Sequence, residues 1–297
     1  MHKERLKQIA EFAYKTIFRQ AATLSKIEQT FYGWVVFLGS GKSRVVVKFS
    51  REVGRLALEL DGLQRLRKSV SCKVPEVLFF GREDGHDYLM LEWVDGMPAH
   101  KLPATPMAIS AFRDSYVDVL LEMHEHSAEG YEIPKQGFTD SFDSAFEHWM
   151  SPVYRYVMSE YSPFTPHLRE IYGQLWESRA DILSELKGAP SLIHDDCHIG
   201  NVLFDPKTFK VSAVLDPCDV GFRHREMDLF HLYDVRPELG LVEHYCKHVT
   251  LDDGFELRRW FFSLWDDAKH SRNMGWFDAQ WLEGKVAKMH QYRPFSQ

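Results

Sequence analysis

The sequence has 297 residues, of which 44% are hydrophobic and 27% charged, a composition typical of a globular protein with one large domain or two lobes. No apolar run approaches the roughly 18 residues that cross a bilayer, and the first 22 residues lack the apolar block of a signal peptide, so we expect a cytoplasmic protein with no membrane partner. Residues 1–96 carry 16 Lys and Arg against 12 Asp and Glu, whereas residues 97–297 carry 20 against 31. The basic part suits phosphate; the acidic part favours a cationic small-molecule substrate and argues against nucleic acid.

The chain begins with a segment of helical periodicity, residues 2–22. Its apolar positions recur at helical spacing on one broad face, made of Leu6, Ile9, Ala13 and Ile17 with Phe12 beside them. This pattern predicts a helix that packs in front of the first strand.

Residues 24–94 alternate between extended segments and turns. The segments LSKIEQ, FYGWVVFL, SRVVVKFS, EVLFF and YLMLEWV predict five strands of one antiparallel sheet, with a single helix at 51–68 inserted before the fourth. The GSGKS segment at 39–43 is a hairpin turn rather than a P-loop, because that motif requires a glycine where Val36 stands. Gly96 and Pro98 break the pattern, so we predict an N-terminal nucleotide-binding lobe at 1–94 and a mostly helical catalytic and substrate lobe at 95–297.

Lys48 lies in the third extended segment, VVVKF, just before the predicted helix 51–68. A lysine at the end of a strand is by itself most often a surface residue whose stem packs on apolar neighbours. Here the following helix carries two candidate carboxylate partners, Glu52 and Glu59. Glu59 is favoured because it lies in the middle of the helix, whereas Glu52 lies in the first turn, where it complements the helix dipole.

The second predicted lobe contains helical periodicity at 106–126 and 167–187, and again beyond residue 219. Between the first two helices, residues 127–166 are rich in proline and aromatic residues. We expect this stretch to form a short pair of helices, although aromatic side chains at such spacing are most often core residues.

The segments SLIHDDCHIGNVLF (191–204) and VSAVLDPCD (211–219) carry the polar residues of greatest interest. Apolar runs frame a loop in which His194, Asp196 and Asn201 keep the spacing H-x-D-x-x-x-x-N, and Asp216 ends the next run. Phosphoryl transfer requires one carboxylate to accept a hydroxyl proton, with a carboxamide and a second carboxylate to hold Mg²⁺. The alternative is a surface turn with a buried histidine, but four residues at these spacings favour the catalytic interpretation.

A zinc site is a second alternative, because HDDCH spaces His194 and His198 as the metalloprotease motif HExxH does. That motif requires a helix to bring both imidazoles to one face, and the β-like run that follows makes a helix implausible. The cysteines are scattered and predict reduced thiols rather than a zinc knuckle or disulfides: Cys72, Cys197, Cys218 and Cys246.

From about Ile27 to Leu229 the chain resembles the aminoglycoside phosphotransferase family, which has a two-lobed α+β protein-kinase-like fold. The matching segments, in consistent order, are VVVKF, EVLFFG with YLMLEWVDG, IHDDCHIGNVLF and VLDPCDVGFRHREMDL. The resemblance implies ATP and Mg²⁺ as cofactors. It also implies the following residue roles: catalytic base, Asp196; Mg²⁺ ligands, Asn201 and Asp216; phosphate-orienting pair, Lys48 and Glu59; backbone contacts to adenine, Glu92 and Val94; supporting residues, His194, His198 and Asp228.

The chain departs from the family pattern at three places. Asp195 and Cys197 replace the usual glycine and leucine beside the base, and the extra carboxylate could raise the pKa of the pair. The segment where a phosphate-covering loop is expected contains one glycine, Gly33. His198 stands where fructosamine kinases usually carry tryptophan, which disfavours that subfamily.

Together these features predict an ATP- and Mg²⁺-dependent transfer of the γ-phosphoryl group to a hydroxyl of a small molecule, either amine-bearing or sugar-like. A kinase-like nucleotide-binding protein without catalysis is the alternative from another class. For the acceptor, the acidic second lobe offers four candidate contacts: Asp219, Trp265, Asp266 and Asp267.

Overall fold

The computed structural model describes residues 2–184 and 186–293. Its strands are β1 (Thr23–Gln29), β2 (Gly33–Ser40), β3 (Ser43–Ser50), β4 (Val77–Glu83), β5 (His86–Glu92), β6 (Met97–Pro98), β7 (Tyr131–Ile133), β8 (Gly137–Thr139), β9 (Ser191–Ile193), β10 (Val202–Phe204), β11 (Val211–Val214) and β12 (Gly221–Arg223). Its α-helices are α1 (Lys3–Phe18), α2 (Arg55–Ser69), α3 (Pro106–Glu125), α4 (Phe142–Met158), α5 (Pro166–Glu177), α6 (Arg179–Leu183), α7 (Glu226–Leu229), α8 (Leu241–Tyr245), α9 (Phe255–Met274) and α10 (Ala279–Met289).

The chain forms two compact units. Unit 1 contains the described part of Met1–Glu122 together with His194–Val220. Unit 2 contains the described parts of Met123–Ile193 and Gly221–Gln297. These units group the chain differently from the lobes predicted with a boundary at residue 94, because the segment with the His194, Asp196 and Asn201 spacing belongs to the same unit as the first strands.

The five-stranded sheet predicted for the N-terminal part is present in unit 1. Its order is β1-β2-β3-β5-β4 and every neighbouring pair is antiparallel. The β-branched run Val45–Val47 suits β3, which is the middle strand of this sheet and in which Val45 and Val47 are fully buried. At the β2–β3 turn, Gly41 adopts a φ of 59°, a left-handed conformation that favours glycine, so the GSGKS segment is the predicted hairpin turn.

Helix α1 packs against one face of this sheet. Its buried residues form a common core with strand residues such as Val36, Val45 and Met90; they are Leu6, Ile9, Ala10, Ala13 and Tyr14. The predicted apolar face was therefore partly wrong: Phe12 is 70% exposed and Ile17 is 38% exposed. The buried stripe is rotated toward Ala10 and Tyr14, and the Tyr14 hydroxyl donates a hydrogen bond to the Ser43 carbonyl at 2.8 Å.

Helix α2 is the single helix inserted in the sheet, and it begins at Arg55, four residues later than predicted. Gly54 precedes it with a φ of 89°, and the Gly54 backbone N–H donates to the fully buried carboxylate of Asp87 at 2.7 Å. A side chain added at Gly62 would meet Val220 at 2.9 Å, so α2 lies very close to the segment that follows Asp216.

Unit 2 is built on helices α4, α5, α6, α9 and α10 around an aromatic core. The helix predicted at 167–187 is present as α5 and α6. The short pair of helices predicted at 127–166 was wrong in its first half, where β7 and β8 form a hairpin, and the second half is helix α4. None of the helices in the described part of the chain combines the length and hydropathy that a membrane span requires.

Candidate active site

The candidate site begins where β9 ends, at His194. From there the chain forms a loop to Asp196, a 3-10 turn at Ile199–Asn201, and the β10–β11 hairpin that leads to Asp216. The apolar runs that frame the predicted loop are thus β9, β10 and β11. Tyr116 of α3 donates its hydroxyl to the carbonyl of Cys197 and so holds the loop from the side.

Three hydrogen bonds join the Asp196 loop to the segment that carries Asp216. The His194 imidazole Nε2 donates to the Leu215 carbonyl at 3.0 Å, and the Cys218 N–H donates to the His194 carbonyl at 3.2 Å. The Leu215 N–H donates to the Asn201 carbonyl at 2.8 Å. His194 is only 3% exposed and takes part in two of these bonds, so it ties the Asp196 loop to the segment that carries Asp216.

Asp196 and Asn201 are in direct contact. The Asn201 amide nitrogen donates to the Asp196 carbonyl and to its carboxylate Oδ2, both at 2.9 Å. His198 accepts a hydrogen bond from the Gly200 N–H at Nδ1, which leaves its Nε2 as a donor 3.4 Å from Asp196 Oδ1. Both carboxylate oxygens of Asp196 therefore have neighbours that fix the orientation of the side chain.

Lys48 lies between two carboxylates. Its ammonium is 2.5 Å from Glu59 Oε1 and 2.7 Å from Asp216 Oδ1, and the Lys48 and Glu59 side chains are 15% and 11% exposed. Burial raises the pKa of Glu59 although Lys48 acts to lower it. Enclosure would raise the pKa of Asp216 as well, but Lys48, with help from His194 and His198, holds that pKa below its usual value. The predicted pair of Lys48 and Glu59 is thus formed, and Lys48 also contacts Asp216, one of the two predicted Mg²⁺ ligands.

A cavity of about 150 Å³ in unit 1 brings these residues together. Five predicted site residues line it: Lys48, Glu59, Asp196, Asn201 and Asp216. Four further polar residues to which the sequence analysis gave no role in the site also line it: Thr30, Tyr32, Ser50 and Arg55.

The oxygen donors at this cavity suit a hard divalent cation. Because the Asn201 amide nitrogen is used by Asp196, its carbonyl oxygen is the atom left to coordinate a metal, and Asp216 offers a carboxylate whose depressed pKa keeps it ionised. Mg²⁺ prefers such oxygen ligands and is usually bound by one or two protein groups together with substrate phosphates. The residues present therefore fit Mg²⁺.

Asp195 adopts a φ of 62°, which explains why glycine is usual at this position of the family pattern. Asp195 is buried and is not among the residues that line the cavity. Together with Cys218 and Asp219 it forms a group whose ligand atoms lie within 4.8 Å of one another. Asp219, predicted to contact the acceptor, thus lies next to Asp195, and the lining of the cavity does not include it.

The zinc alternative lacks the helix that it requires. The HDDCH segment is a loop that leads into a 3-10 turn, and both imidazoles are engaged by protein groups as described above. In the part of the chain that the structure describes, the group of side chains close enough to hold a metal ion through His, Cys, Asp or Glu contains neither His194 nor His198.

Glu92 and Val94 lie at the end of β5 and just after it. The Glu92 N–H donates to the Glu76 carbonyl at 2.8 Å, and its side chain pairs with Lys73. Among the described residues, those that line the 150 Å³ cavity do not include Glu92 or Val94, so their contact with adenine stays a prediction.

Asp228 lies in unit 2, in the short helix α7, and it is completely buried. Its carboxylate contacts His124 Nε2 at 3.1 Å, while the other nitrogen of that imidazole contacts the Tyr245 hydroxyl at 2.9 Å. This network joins α3, α7 and α8 within unit 2, and the role of Asp228 as a support of the site stays a prediction.

The predicted acceptor contacts in α9 must be corrected for Trp265. It is fully buried among aromatic residues, with ring centroids 5.2 Å from Tyr172 and 5.6 Å from Trp176, and therefore has no surface for a substrate. Asp266 is paired with Lys269 and His270, and Asp267 with Lys285. Both carboxylates are thus already neutralised by neighbouring cations.

The structure explains why residue 33 is a glycine, which the sequence did not reveal. Gly33 is the first residue of β2 and pairs with Ser50, and a Cβ at this position would lie 1.8 Å from the Phe49 carbonyl oxygen. Close approach of two strands therefore requires this glycine. The adjacent Tyr32 lies under the guanidinium of Arg55, so this turn contributes an aromatic face to the cavity.

Solved structures share this fold across nearly the whole chain. A putative fructosamine-3-kinase from Haemophilus somnus 129PT superposes with a TM-score of 0.71 at 17% identity, covering 96% of each chain. A thermostable mutant of the aminoglycoside phosphotransferase APH(4)-Ia, in a ternary complex with AMP-PNP and hygromycin B, gives a TM-score of 0.66 at 16% identity and covers 95% of this chain and 99% of that one. The protein thus has the α+β protein-kinase-like fold.

Sequence comparison gives the family. A family model described as the phosphotransferase enzyme family matches residues 23–261, and the chain belongs to that family. The uncharacterized protein YcbJ of Escherichia coli K12 is 22% identical over 217 residues, which cover 71% of this chain and 73% of YcbJ. The resemblance inferred from the four motifs is therefore confirmed.

Proposed function

We propose that this protein is a small-molecule kinase that transfers the γ-phosphoryl group of ATP to a hydroxyl of its acceptor in a Mg²⁺-dependent reaction. The observation that carries the proposal is the single cavity lined by Lys48, Glu59, Asp196, Asn201 and Asp216. Phosphoryl transfer relies on positioning and charge stabilisation, and these are the residue types that such a reaction requires.

In this proposal Asp196 accepts the proton of the acceptor hydroxyl. The oxygen of that hydroxyl forms a bond to the γ-phosphorus, while the bond between the γ-phosphorus and the oxygen of the departing ADP breaks. Contacts from Asn201 and His198 hold the carboxylate in place for this role. Asn201 and Asp216 would hold Mg²⁺, which supplies charge neutralisation at the phosphate oxygens. Lys48, oriented by Glu59, binds the phosphates.

The acceptor in this proposal is a hydroxylated amine or a sugar-like compound. The acidic balance of residues 97–297 favours a cationic compound, and solved structures with the same fold include proteins named for fructosamine and for aminoglycosides. Asp266 and Asp267 are neutralised by their ion pairs, so a cationic acceptor would have to displace Lys269, His270 or Lys285 to reach them.

The substitution Asp196→Asn tests the role of the base. It preserves the size of the side chain but removes its basicity, so we expect a decrease in acceptor-dependent ADP formation of about 10²- to 10⁴-fold with nearly unchanged nucleotide affinity. A coupled assay over a panel of hydroxylated amines and sugars gives the rate, and calorimetry gives the affinity.

Asp205→Asn is the matched control. Asp205 lies in unit 1 outside the cavity lining, and its carboxylate accepts the Lys207 N–H at 2.8 Å, which an asparagine oxygen can also do. Turnover should therefore be unchanged in this variant. Undiminished turnover in Asp196→Asn would refute the assigned base.

A further inference from the structure

Arg55 is a cation of the cavity that neither the motif spacing nor the family resemblance indicated. It is the first residue of α2 and lines the same cavity as Lys48, Asp196 and Asp216. Its guanidinium carbon lies over the Tyr32 ring, only 3.2 Å from the ring centre. A guanidinium held on an aromatic face is already oriented and loses little freedom when it binds a ligand.

The position of Arg55 is fixed by the start of α2. The Gly54 N–H donates to Asp87, which is fully buried and is itself held by Arg82 at 2.6 Å. Gly54, with a φ of 89°, turns the chain so that the helix begins at the next residue. The sheet residue Asp87 thus anchors the turn that directs Arg55 into the cavity.

Arg55 and Lys48 differ in the groups that surround their positive charges. The Lys48 ammonium contacts two carboxylates, Glu59 and Asp216, and its charge is shared between them. The electrostatic partners of Arg55 are instead Cys218, Tyr32 and, less strongly, Glu59. Burial acts to lower the pKa of the guanidinium, but that pKa is raised above its usual value, and an arginine remains charged at neutral pH.

The turn between β1 and β2 has no glycine-rich loop to cover phosphates. Its one glycine, Gly33, is required by the close approach of β2 and β3, and the two preceding residues are Phe31 and Tyr32. A nucleotide bound at this site therefore needs a phosphate contact from elsewhere. The guanidinium of Arg55 lies over the ring of Tyr32, which is part of this turn. Its planar set of N–H donors matches the geometry of a phosphate group.

We propose that Arg55 binds the phosphate chain of the nucleotide and takes the place of the missing glycine-rich loop, with Tyr32 as its platform. This inference rests on the proposed function, since it assigns a second phosphate-binding cation to the same site. It predicts that the affinity for phosphorylated nucleotides depends on Arg55 as well as on Lys48.

The test is calorimetric titration of Mg·ADP into the full-length wild-type protein and the variants Arg55→Gln and Arg55→Lys. Gln retains hydrogen bonding without charge, and Lys retains charge without the planar fork. Charged hydrogen bonds to phosphate predict that Arg55→Gln weakens Mg·ADP binding about 10- to 100-fold and that Arg55→Lys lies between it and the wild type. The dependence of affinity on NaCl concentration should also be shallower in Arg55→Gln, because one charge contact is missing.

Arg51→Gln is the matched control. Arg51 also lies over an aromatic ring, with its guanidinium carbon 4.6 Å from the centre of Trp34, but it is exposed and is not part of the cavity lining. Mg·ADP affinity and its salt dependence should be unchanged in this variant. Urea unfolding of all variants distinguishes a lost phosphate contact from a loosened helix, because only the latter lowers the unfolding midpoint in proportion to the loss of affinity.

Two outcomes would overturn the inference in different ways. If the wild-type protein binds Mg·ADP and Arg55→Gln binds it equally well, Arg55 is not a phosphate ligand and the proposed function still stands. If the wild-type protein binds neither Mg·ADP nor Mg·ATP, the proposed function fails and the role of Arg55 fails with it.

Discussion

Lys48 and Glu59 form the ion pair on which the candidate site depends most. Both side chains are at least 85% buried, and Lys48 also contacts the more exposed carboxylate of Asp216. Breaking a buried pair leaves an uncompensated charge, which typically destabilises a protein by a few kcal/mol, whereas replacing both partners by apolar groups is often tolerated.

We therefore expect Lys48→Met to lower the free energy of unfolding by about 3 kcal/mol, since Glu59 then lies beside Asp216 with no cation between them. The double variant Lys48→Met/Glu59→Leu should recover part of this loss. Urea unfolding of both variants at neutral pH measures the difference. Wild-type stability of Lys48→Met would mean that the pair contributes nothing to the fold and serves the nucleotide alone.

Several residues of the site could be predicted from the sequence because their roles depend on spacing within short segments. His194, Asp196 and Asn201 share one loop, and Asp216 ends the next hairpin, so the chain itself keeps them together. Arg55 was missed because its position depends on Tyr32, which lies under its guanidinium, and on Asp87, which anchors the preceding Gly54, and both residues are remote in sequence. The error at Trp265 arose because a helical segment shows its periodicity but does not show which face is completely buried.

At the scale of elements, the strands of unit 1 were predicted well because β-branched runs and glycine turns alternate clearly between residues 23 and 92. The hairpin of β7 and β8 was not predicted, since its strands have only three residues each. Short strands give no periodicity to recognise, and aromatic residues at such positions fit a helix equally well.

The junction between β12 and α7 contains a buried histidine, His224, that should make stability depend on pH. Its Nε2 donates to the Lys187 carbonyl at 3.1 Å, and its Nδ1 accepts the Glu226 N–H at 3.3 Å, so both nitrogens are used by the neutral ring. Protonation would remove the acceptor, and burial is the main cause that lowers the pKa of His224 to about 4.

Because this folded-state pKa lies below the ordinary value of 6.5, the unfolded chain takes up the proton first as the pH falls. The contribution of neutral His224 is complete above pH 6.5 and is lost as the pH falls toward 4. Between pH 6.5 and 5 the wild-type protein should lose about 2 kcal/mol through this residue, at about 1.4 kcal/mol per pH unit. Urea unfolding of the wild type and of His224→Gln at both pH values measures it; parallel pH dependence of the two proteins would rule out this residue as the cause.

At the scale of the whole molecule, the chain belongs to the phosphotransferase enzyme family but has an unusual version of the family's site. Membership in the phosphotransferase enzyme family covers residues 23–261, and the kinase-like fold covers nearly all of the chain. The departures are local: Asp195 beside the base in a left-handed conformation, and a β1–β2 turn that is aromatic rather than rich in glycine. All five polar residues proposed for phosphoryl transfer nevertheless line one cavity.

This combination distinguishes two whole-molecule hypotheses, an active kinase and a nucleotide-binding protein without catalysis. Both predict saturable binding of Mg·ATP, so binding alone does not separate them. The geometry favours catalysis, because Asp196 has no part in binding the nucleotide in our proposal, yet its carboxylate is held by two neighbours.

The most direct test is ³¹P NMR of Mg·ATP incubated with the wild-type protein and a panel of hydroxylated amines and sugars, with Asp196→Asn and an EDTA-treated sample in parallel. We predict that the γ-phosphate resonance of ATP decreases while ADP and a new phosphomonoester resonance increase in equal amounts, and that this occurs only with the wild-type protein and Mg²⁺. Saturable binding of Mg·ATP without a phosphomonoester for any member of the panel would contradict catalysis and favour a kinase-like binding protein.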